Sequence, residues 1–265
     1  MQSTAACSAA GQGEPLTDSY QAQNGEDRWL EKYFKGKRDG IFVEVGAYDG
    51  VHLSNTFHFE QIGWSGILIE PDPDKAVQCR RARPGATTFQ CAVVGPEHDG
   101  EIVFHQVAGG EVYSTTTPTT GHRRRLDGLG LGWREVRVAA RTLDSILVEV
   151  MPARIDFVSI DVEGGEMAVL RGFDIRRWQP AVVIVETNTR MRDAAVRDYF
   201  VKNGYAYFVS IDVNDFYVPV AAGVGAARAI DGTRYLLHRA QRRLKRTGQL
   251  LGRAWRKHVI GGDDR

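Results

Sequence analysis

The chain has 265 residues, 43% hydrophobic and 25% charged, with a formal net charge of +1 at pH 7. That supplies apolar sequence for one sizeable core and excludes a disordered or fibrous polypeptide. A charge so close to zero excludes any global electrostatic case for nucleic acid, so a basic surface must be a local one.

Residues 1–19 are small and polar and read as a flexible tail. They lack a basic start followed by a long apolar stretch, and no apolar run long enough to span a bilayer occurs later, so neither secretion nor membrane spanning is expected. Cys7, Cys79 and Cys91 show neither metal-ligand nor C-x-x-C spacing, which fits a reducing cytoplasm. "NGEDRWLEKYF" at 24–34 spaces Trp29, Leu30, Tyr33 and Phe34 as a helix does, with Asn24 as N-cap and acids in the first turn. Short β-branched runs then follow at 41–45, 66–70, 88–94, 155–160 and 181–186, mostly apolar on both faces. Helical patterns at about 52–62, 73–83, 164–171 and 192–203 alternate with them. This rhythm predicts an α/β, doubly wound, mostly parallel sheet. "YAYFVSI" (205–211) and "DFYVPV" (215–220), joined through a turn containing Asn214, predict an antiparallel terminal hairpin.

Two segments break the rhythm. Residues 95–141 insert strands "EIVFHQV" and "EVRVAA" around a polar, glycine-rich stretch, readable as a substrate loop or as a bare surface loop. Its "HRRR" at 122–125 carries two readings, a solvated charge run or a contact for an acidic group on a substrate. From 228 to 265 the chain is basic, without an acid between Gly232 and Gly262, and spaced for an amphipathic helical extension. That extension suits anionic lipid, phosphate, its own domain or a second copy of the chain.

In an open parallel sheet the ligand sits beyond the carboxyl ends of the strands, at the first strand-to-helix turn. Here that turn is "VGAYDG", with Gly46 and Gly50. Counting from Gly46, Tyr48 and Val51 stand where a dinucleotide fingerprint requires glycine, and no Gly-Lys-Ser/Thr follows for a phosphate loop. Glu44 and Asp49 would repel a pyrophosphate and attract a cation. S-adenosylmethionine, with a sulfonium, an ammonium and no phosphate, meets that demand. Glu70 ends the second strand where a carboxylate accepts both ribose hydroxyls, a position a nicotinamide dinucleotide would use equally. Ala92 and Val93 are small enough to flank an adenine, and are equally ordinary strand-end residues. "SIDVEGGE" at 159–166 places three acids at the end of the fourth strand, where unpaired burial is costly. Asp161 should face the crevice, with Glu163 beside it if the chain stays extended. Glu166 should open a helix.

Together "QNGEDRWL" (23–30), "FVEVGAYDG" (42–50), "LSNTFHFEQIGWSGILIEPDP" (53–73), "RTLDSIL" (141–147) and "DFVSIDVEGGEMAVLRGF" (156–173) resemble the FkbM family of S-adenosylmethionine-dependent methyltransferases, in consistent order over roughly residues 20–190. The resemblance implies a class I methyltransferase (Rossmann-like) fold over 20–227, and O-methylation of a hydroxyl on a sugar or polyketide-type secondary metabolite. It also implies that Glu44, Gly46, Asp49 and Gly50 line the methionine part of the cofactor, with Ala47 in the same turn. Glu70 and Pro71 would serve the ribose, and Ala92 and Val93 the adenine. Gln23 would fold over the pocket, and Ser54 and Asn55 would reach it from the start of the first helix.

Such a reaction needs an oxygen aligned with the S–CH3 bond and a group to take its proton. Asp161, Glu163 and His52 are the candidates in that order, with Asp161 equally able to hold the cofactor. Asp161, Glu163 and Glu186 form a possible Mg2+ set of hard oxygen ligands. The competing readings are a nicotinamide-dependent oxidoreductase and a non-catalytic module of the same fold that binds anionic partners through its tail. No nucleic-acid partner is expected. Peripheral membrane contact and homo-oligomerisation through the tail stay open.

Overall fold

The structure is a computed structural model, and it describes residues 19–98, 100–187 and 194–222. The expected tail at 1–19, apart from Ser19, and the basic extension at 228–265 lie outside the described residues. Residues to Pro219 form one compact unit. Of a second unit, 220–265, only the 3-10 turn Val220–Ala222 is described.

In chain order the first unit runs α1 (Glu26–Tyr33), β1 (Ile41–Val45), α2 (Phe57–Gln61), β2 (Ser65–Ile69), α3 (Pro73–Ala82), β3 (Ala86–Phe89) and β4 (Ala92–Val93). It continues with β5 (Gly100–Val107), a 3-10 turn (Glu111–Tyr113), α4 (Thr120–Leu129), β6 (Trp133–Arg141), α5 (Leu143–Val150) and β7 (Phe157–Ile160). Last come α6 (Glu166–Arg171), α7 (Ile175–Trp178), β8 (Val182–Glu186), α8 (Ala194–Lys202), β9 (Tyr205–Ile211) and β10 (Asn214–Pro219).

The main sheet has seven strands in the order β3-β2-β1-β7-β8-β10-β9. Every pairing is parallel except those of β10, which is antiparallel to both neighbours. The order reverses between β1 and β7, so the crevice beyond their carboxyl ends is the fold's natural binding place. β1 shows how alternation divides the core. Val43 and Val45 join Ile67, Val158, Val183 and Phe200 in an aliphatic cluster on one face. Phe42 points to the other face, where Phe34, Phe59, Trp64 and Phe157 meet edge to face or tilted at centroid distances of 4.8 to 6.5 Å.

Local chemistry explains several boundaries. Asp72 caps α3 by accepting from the Asp74 and Lys75 amides, with Pro73 in the first turn. Thr142 caps α5 through the Ser145 amide. Elsewhere the structure departs from sequence expectation. α1 is capped by Gly25 without a side-chain bond, because Asn24 donates its amide to Glu26 instead. The helix expected from 52 begins only at Phe57, since Asp49 and Glu44 draw the amides of residues 51, 52 and 55 into a loop. The run 88–94 splits: Phe89 ends a main-sheet strand, and Ala92–Val93 cross into a separate three-stranded sheet, β4-β6-β5. The hairpin turn is Asp212–Val213, and Asn214 already opens β10 opposite Ile211.

Candidate active site

At Gly46 the chain leaves β1 and turns under the ends of its two neighbours. The Gly46 and Ala47 amides donate to the Ile69 carbonyl at 2.9 and 3.1 Å, and the Asp161 amide donates to the Val45 carbonyl at 3.0 Å. A Cβ on Gly46, whose φ is 85°, would stand 1.7 Å from the Asp161 carbonyl oxygen. The residue is therefore glycine because two turns meet there. Gly50, with φ 83°, is crowded by Arg83 and the Cys79 backbone at 3.0 and 3.2 Å. In both places the side-chain-free backbone is approached by protein.

Above this junction lies a cavity of about 300 Å3, at the lower end of ordinary small-molecule sites. Acids dominate its ionisable lining: Glu44 and Glu70 from the β1–β2 side, Asp161, Glu163 and Glu186 from the ends of β7 and β8, Glu111 and Asp212 from two loops. Backbone strain gathers there too. Of the non-glycine residues with positive φ, Tyr48, Leu53, Glu163 and Asp212 line the cavity, at 52°, 62°, 53° and 54°. Left-handed backbone in such residues is uncommon and concentrates where function holds it. Tyr48 is held by its amide, which donates to Glu70 at 2.8 Å, and Leu53 by a bridge to Ala22. That bridge brings the segment carrying Gln23 onto the cavity wall. Asp27 and Glu26 fix the same segment by accepting the Ala22 and Asn24 amides at 2.9 and 2.8 Å.

The carboxylates fall into three electrostatic classes. Glu70 is buried and accepts the Tyr48 and Asp72 amides at 2.8 Å each, and burial pushes its carboxyl up to about 8. One lone pair on each oxygen stays available to a ligand donor. Glu44 borders the cavity but is committed inward. Its oxygens accept from Ser54, the Asn55 amide and Thr56 at 2.7 to 3.1 Å, and the Arg83 guanidinium stands 4.0 Å away. Burial raises its carboxyl, against the pull of Arg83 and those donors. Asp161, Glu163 and Glu186 converge, one oxygen from each lying within 4.8 Å of the others. Asp161 is exposed on the cavity wall. Burial raises Asp161, and the hydrogen bond with Glu186 opposes that. Glu186 is pushed up to about 10, first by burial and then by the Asp161 charge and hydrogen bond. Both carboxyls thus hold a proton more tightly than free ones do, and they titrate as a pair.

Of the residues singled out in the sequence, Gln23, Glu44, Gly46, Ala47, His52 and Ser54 line the cavity. So do Glu70, Pro71, Ala92, Val93, Asp161, Glu163 and Glu186. Asp49, Gly50 and Asn55 stand outside that lining. Asp49 accepts the Val51 and His52 amides, the Gly50 carbonyl accepts from Arg83, and the Asn55 side chain donates to Ser159. Glu163 reaches the cluster from a sharp turn, not from extended chain, and Glu166 opens α6 while accepting the Gly164 amide. Of the run 122–125, for which contact with an acidic group was one reading, Arg125 lines the cavity. Sequence reasoning missed Tyr48, Leu53, Thr115 and Asp212 in the wall. It also missed Arg83 beneath. None carries a motif signal, because each is selected by where a distant segment lands.

Thr115 is the clearest of these. It is 1% exposed, its hydroxyl donates to the Glu163 carbonyl at 3.0 Å and accepts the Thr117 amide at 3.0 Å, and its backbone pairs with His105. It thus latches the inserted segment onto the strained turn that aims Glu163. Thr115→Val removes these side-chain bonds, with a third to the Thr117 hydroxyl at 3.4 Å, at nearly constant volume, and a buried unmet group costs about 1–3 kcal/mol. The expected result is a lowered melting temperature and a roughly ten-fold lower kcat at this energy. Thr115→Ser should restore both, and a valine variant with unchanged kcat would remove Thr115 from the site.

The family model described as the methyltransferase FkbM domain matches residues 44–207. No curated protein matches. Among solved structures, the chain is 11% identical to a TehB-like SAM-dependent methyltransferase from Corynebacterium glutamicum, with a TM-score of 0.38 over 74% of this chain and 85% of that one. It is also 11% identical to a precorrin-6y C5,15-methyltransferase from Geobacter metallireducens, with a TM-score of 0.38 over 77% and 91%. A 1,6-didemethyltoxoflavin-N1-methyltransferase from Burkholderia thailandensis, solved with S-adenosylhomocysteine, is 11% identical, with a TM-score of 0.37 over 77% and 78%.

Proposed function

The chain belongs to the methyltransferase FkbM domain family, and from that premise we propose that it moves a methyl group from S-adenosylmethionine to a hydroxyl oxygen of a small molecule. The acceptor would be a sugar or a polyketide-type metabolite in a reducing compartment such as the cytoplasm. The observation that carries this reading is the convergence of Asp161 and Glu186 in an acid-walled cavity where the strand order reverses. Among the described residues no helix is long and apolar enough to cross a membrane.

The donor set fits this cofactor. Glu70 offers two oxygens for ribose hydroxyls, Ala92 and Val93 leave room for a flat base, and the acids suit a cation and repel a pyrophosphate. When bound, S-adenosylmethionine supplies a methyl group made electrophilic by its positive sulfur. The protein's share is to align the acceptor oxygen and take its proton. Asp161, its basicity raised by burial, receives that proton, and the hydrogen bond with Glu186 holds it in place. His52, exposed on the cavity wall with its amide bound to Asp49, is the further base candidate. The segment carrying Gln23 borders the cavity. A divalent ion such as Mg2+ is a second reading of the three converging carboxylates, supported by their spacing alone. Turnover abolished by a chelator and restored by Mg2+ would establish it.

Calorimetric titration with S-adenosylmethionine tests the cofactor. Glu70→Ala should weaken binding by about ten- to hundred-fold, as expected for two hydrogen bonds lost at roughly 0.5–1.5 kcal/mol each. No heat with either the cofactor or its demethylated product, or an unchanged Kd in the variant, would overturn the assignment. Turnover of a hydroxyl acceptor then separates an enzyme from a silent binding module.

A further inference from the structure

The inserted segment between β4 and β6 carries three consecutive arginines, and the structure sorts them. Arg123 stacks on Trp133, its guanidinium carbon 4.8 Å from the ring centroid. Arg125, two residues on, stands 4.4 Å over the Tyr113 ring, and both Arg125 and Tyr113 line the cavity. Their placement is secured from beneath, since the intervening helix α4 is anchored by Leu126 at 1% exposure and capped by Thr119.

Among the described residues, Arg125 is the one Lys or Arg in a lining that holds Glu44, Glu70, Glu111, Asp161, Glu163, Glu186 and Asp212. Yet no carboxylate lies within ion-pair distance of it among the described residues. Face-on stacking steadies a guanidinium while leaving its in-plane N–H donors free. A permanent cation in this cavity is repelled by the cofactor's sulfonium and ammonium, so its partner is an anion, either the cofactor's own carboxylate or an anionic group on the other reactant. We take the second, and the Arg125→Ala variant separates the two. The surrounding acids bias that group toward a single negative charge, and the planar fork matches a carboxylate in bidentate fashion.

We propose that Arg125, steadied on Tyr113, selects acceptors bearing a carboxylate, so that the substrate class is a polyhydroxylated acid of the uronic or hydroxy-acid type. This rests on the methyltransferase reading above and adds the specificity of the same cavity. Arg125 touches substrate, not the reacting oxygen, and its removal is a loss of discrimination.

The test uses the full chain saturated with S-adenosylhomocysteine, with glucuronate and glucose as a matched acidic and neutral pair followed by ligand-observed NMR. Glucuronate should bind at least ten-fold more tightly than glucose. Arg125→Ala should abolish that preference while leaving the Kd for S-adenosylhomocysteine within two-fold, and Arg125→Lys should keep part of it. Equal or absent retention of the two sugars overturns the proposal. So does a parallel loss of S-adenosylhomocysteine affinity in Arg125→Ala, which would assign the guanidinium to the cofactor's own carboxylate. Failure of the wild-type chain to take up S-adenosylhomocysteine is a separate outcome that sinks the methyltransferase reading with it.

Discussion

Asp161→Asn should lower kcat by about 10^2- to 10^4-fold, the usual contribution of a positioned general base, without unfolding the protein. The amide cannot take the acceptor's proton, but its oxygen can still accept the Glu163 amide that Asp161 accepts now. Stability should move the other way. Glu186 is raised to about 10 partly by the Asp161 charge, and Glu70 to about 8 by burial. A carboxyl whose folded value lies above its unfolded one binds its proton more tightly in the folded state. Its favourable contribution is then complete below the unfolded value, near 4.3, and is lost as pH rises through the folded one. The ligand-free wild type should therefore lose melting temperature between about pH 4.5 and 10. Asp161→Asn, which removes a like charge beside Glu186, should flatten the upper part of that decline. Methyl-transfer rates within three-fold of wild type would dismiss Asp161 as the base. A steeper alkaline loss in the variant would contradict the paired titration.

Arg83→Met should produce the largest loss of stability among single substitutions outside the cavity. The side chain is fully buried, and its donors reach Glu60 at 2.6 Å, the Gly50 carbonyl at 2.8 Å and Thr56 Oγ1 at 3.1 Å, with Glu44 at 4.0 Å. The Phe42 and Phe57 rings flank it at 5.3 and 5.5 Å. One guanidinium thus ties α3 to the loop before α2 and to the glycine turn that floors the cavity. Methionine fills much of the volume but leaves Glu44 and Glu60 without their cation. Breaking a buried pair from one side costs about 3–5 kcal/mol. For a chain of this size that is a fall of roughly 10 °C in melting temperature, readable by calorimetry and by a lower urea midpoint. Adding Glu60→Gln to Arg83→Met should recover part of the loss, because the stranded charge goes with it. A single variant melting within 2 °C of wild type would show that the cluster stabilises nothing.

The two variants mark how far the chain could be read before it was folded. β-branched runs and 3.6-residue spacing announced the seven-stranded sheet and its hairpin, because alternation and amphipathicity are properties of neighbouring residues. The acids at 161, 163 and 166 stood out as well, since unpaired charge at the end of a buried strand is costly, whereas Glu186 was named only as a third ligand of a Mg2+ set. Helix limits were less legible. Residues 52–56 have helical spacing, but the His52 and Asn55 amides are claimed by Asp49 and Glu44, whose positions depend on the turn and on β1.

Motif spacing alone thus carries the α/β rhythm, the glycine turn, the missing phosphate grips and the acid-rich strand ends of this chain, because each is written within a few residues. Folding settles which of these meet. β7 lies between β1 and β8, so Asp161 comes to Glu186. Gly46 is required by the Asp161 carbonyl, Arg83 is sealed beneath the turn, and Arg125 alone of its run enters the cavity lining. Contacts across tens of residues depend on strand order and burial, and the desolvation that shifts a carboxyl by several units exists only once the surrounding chain has closed over it.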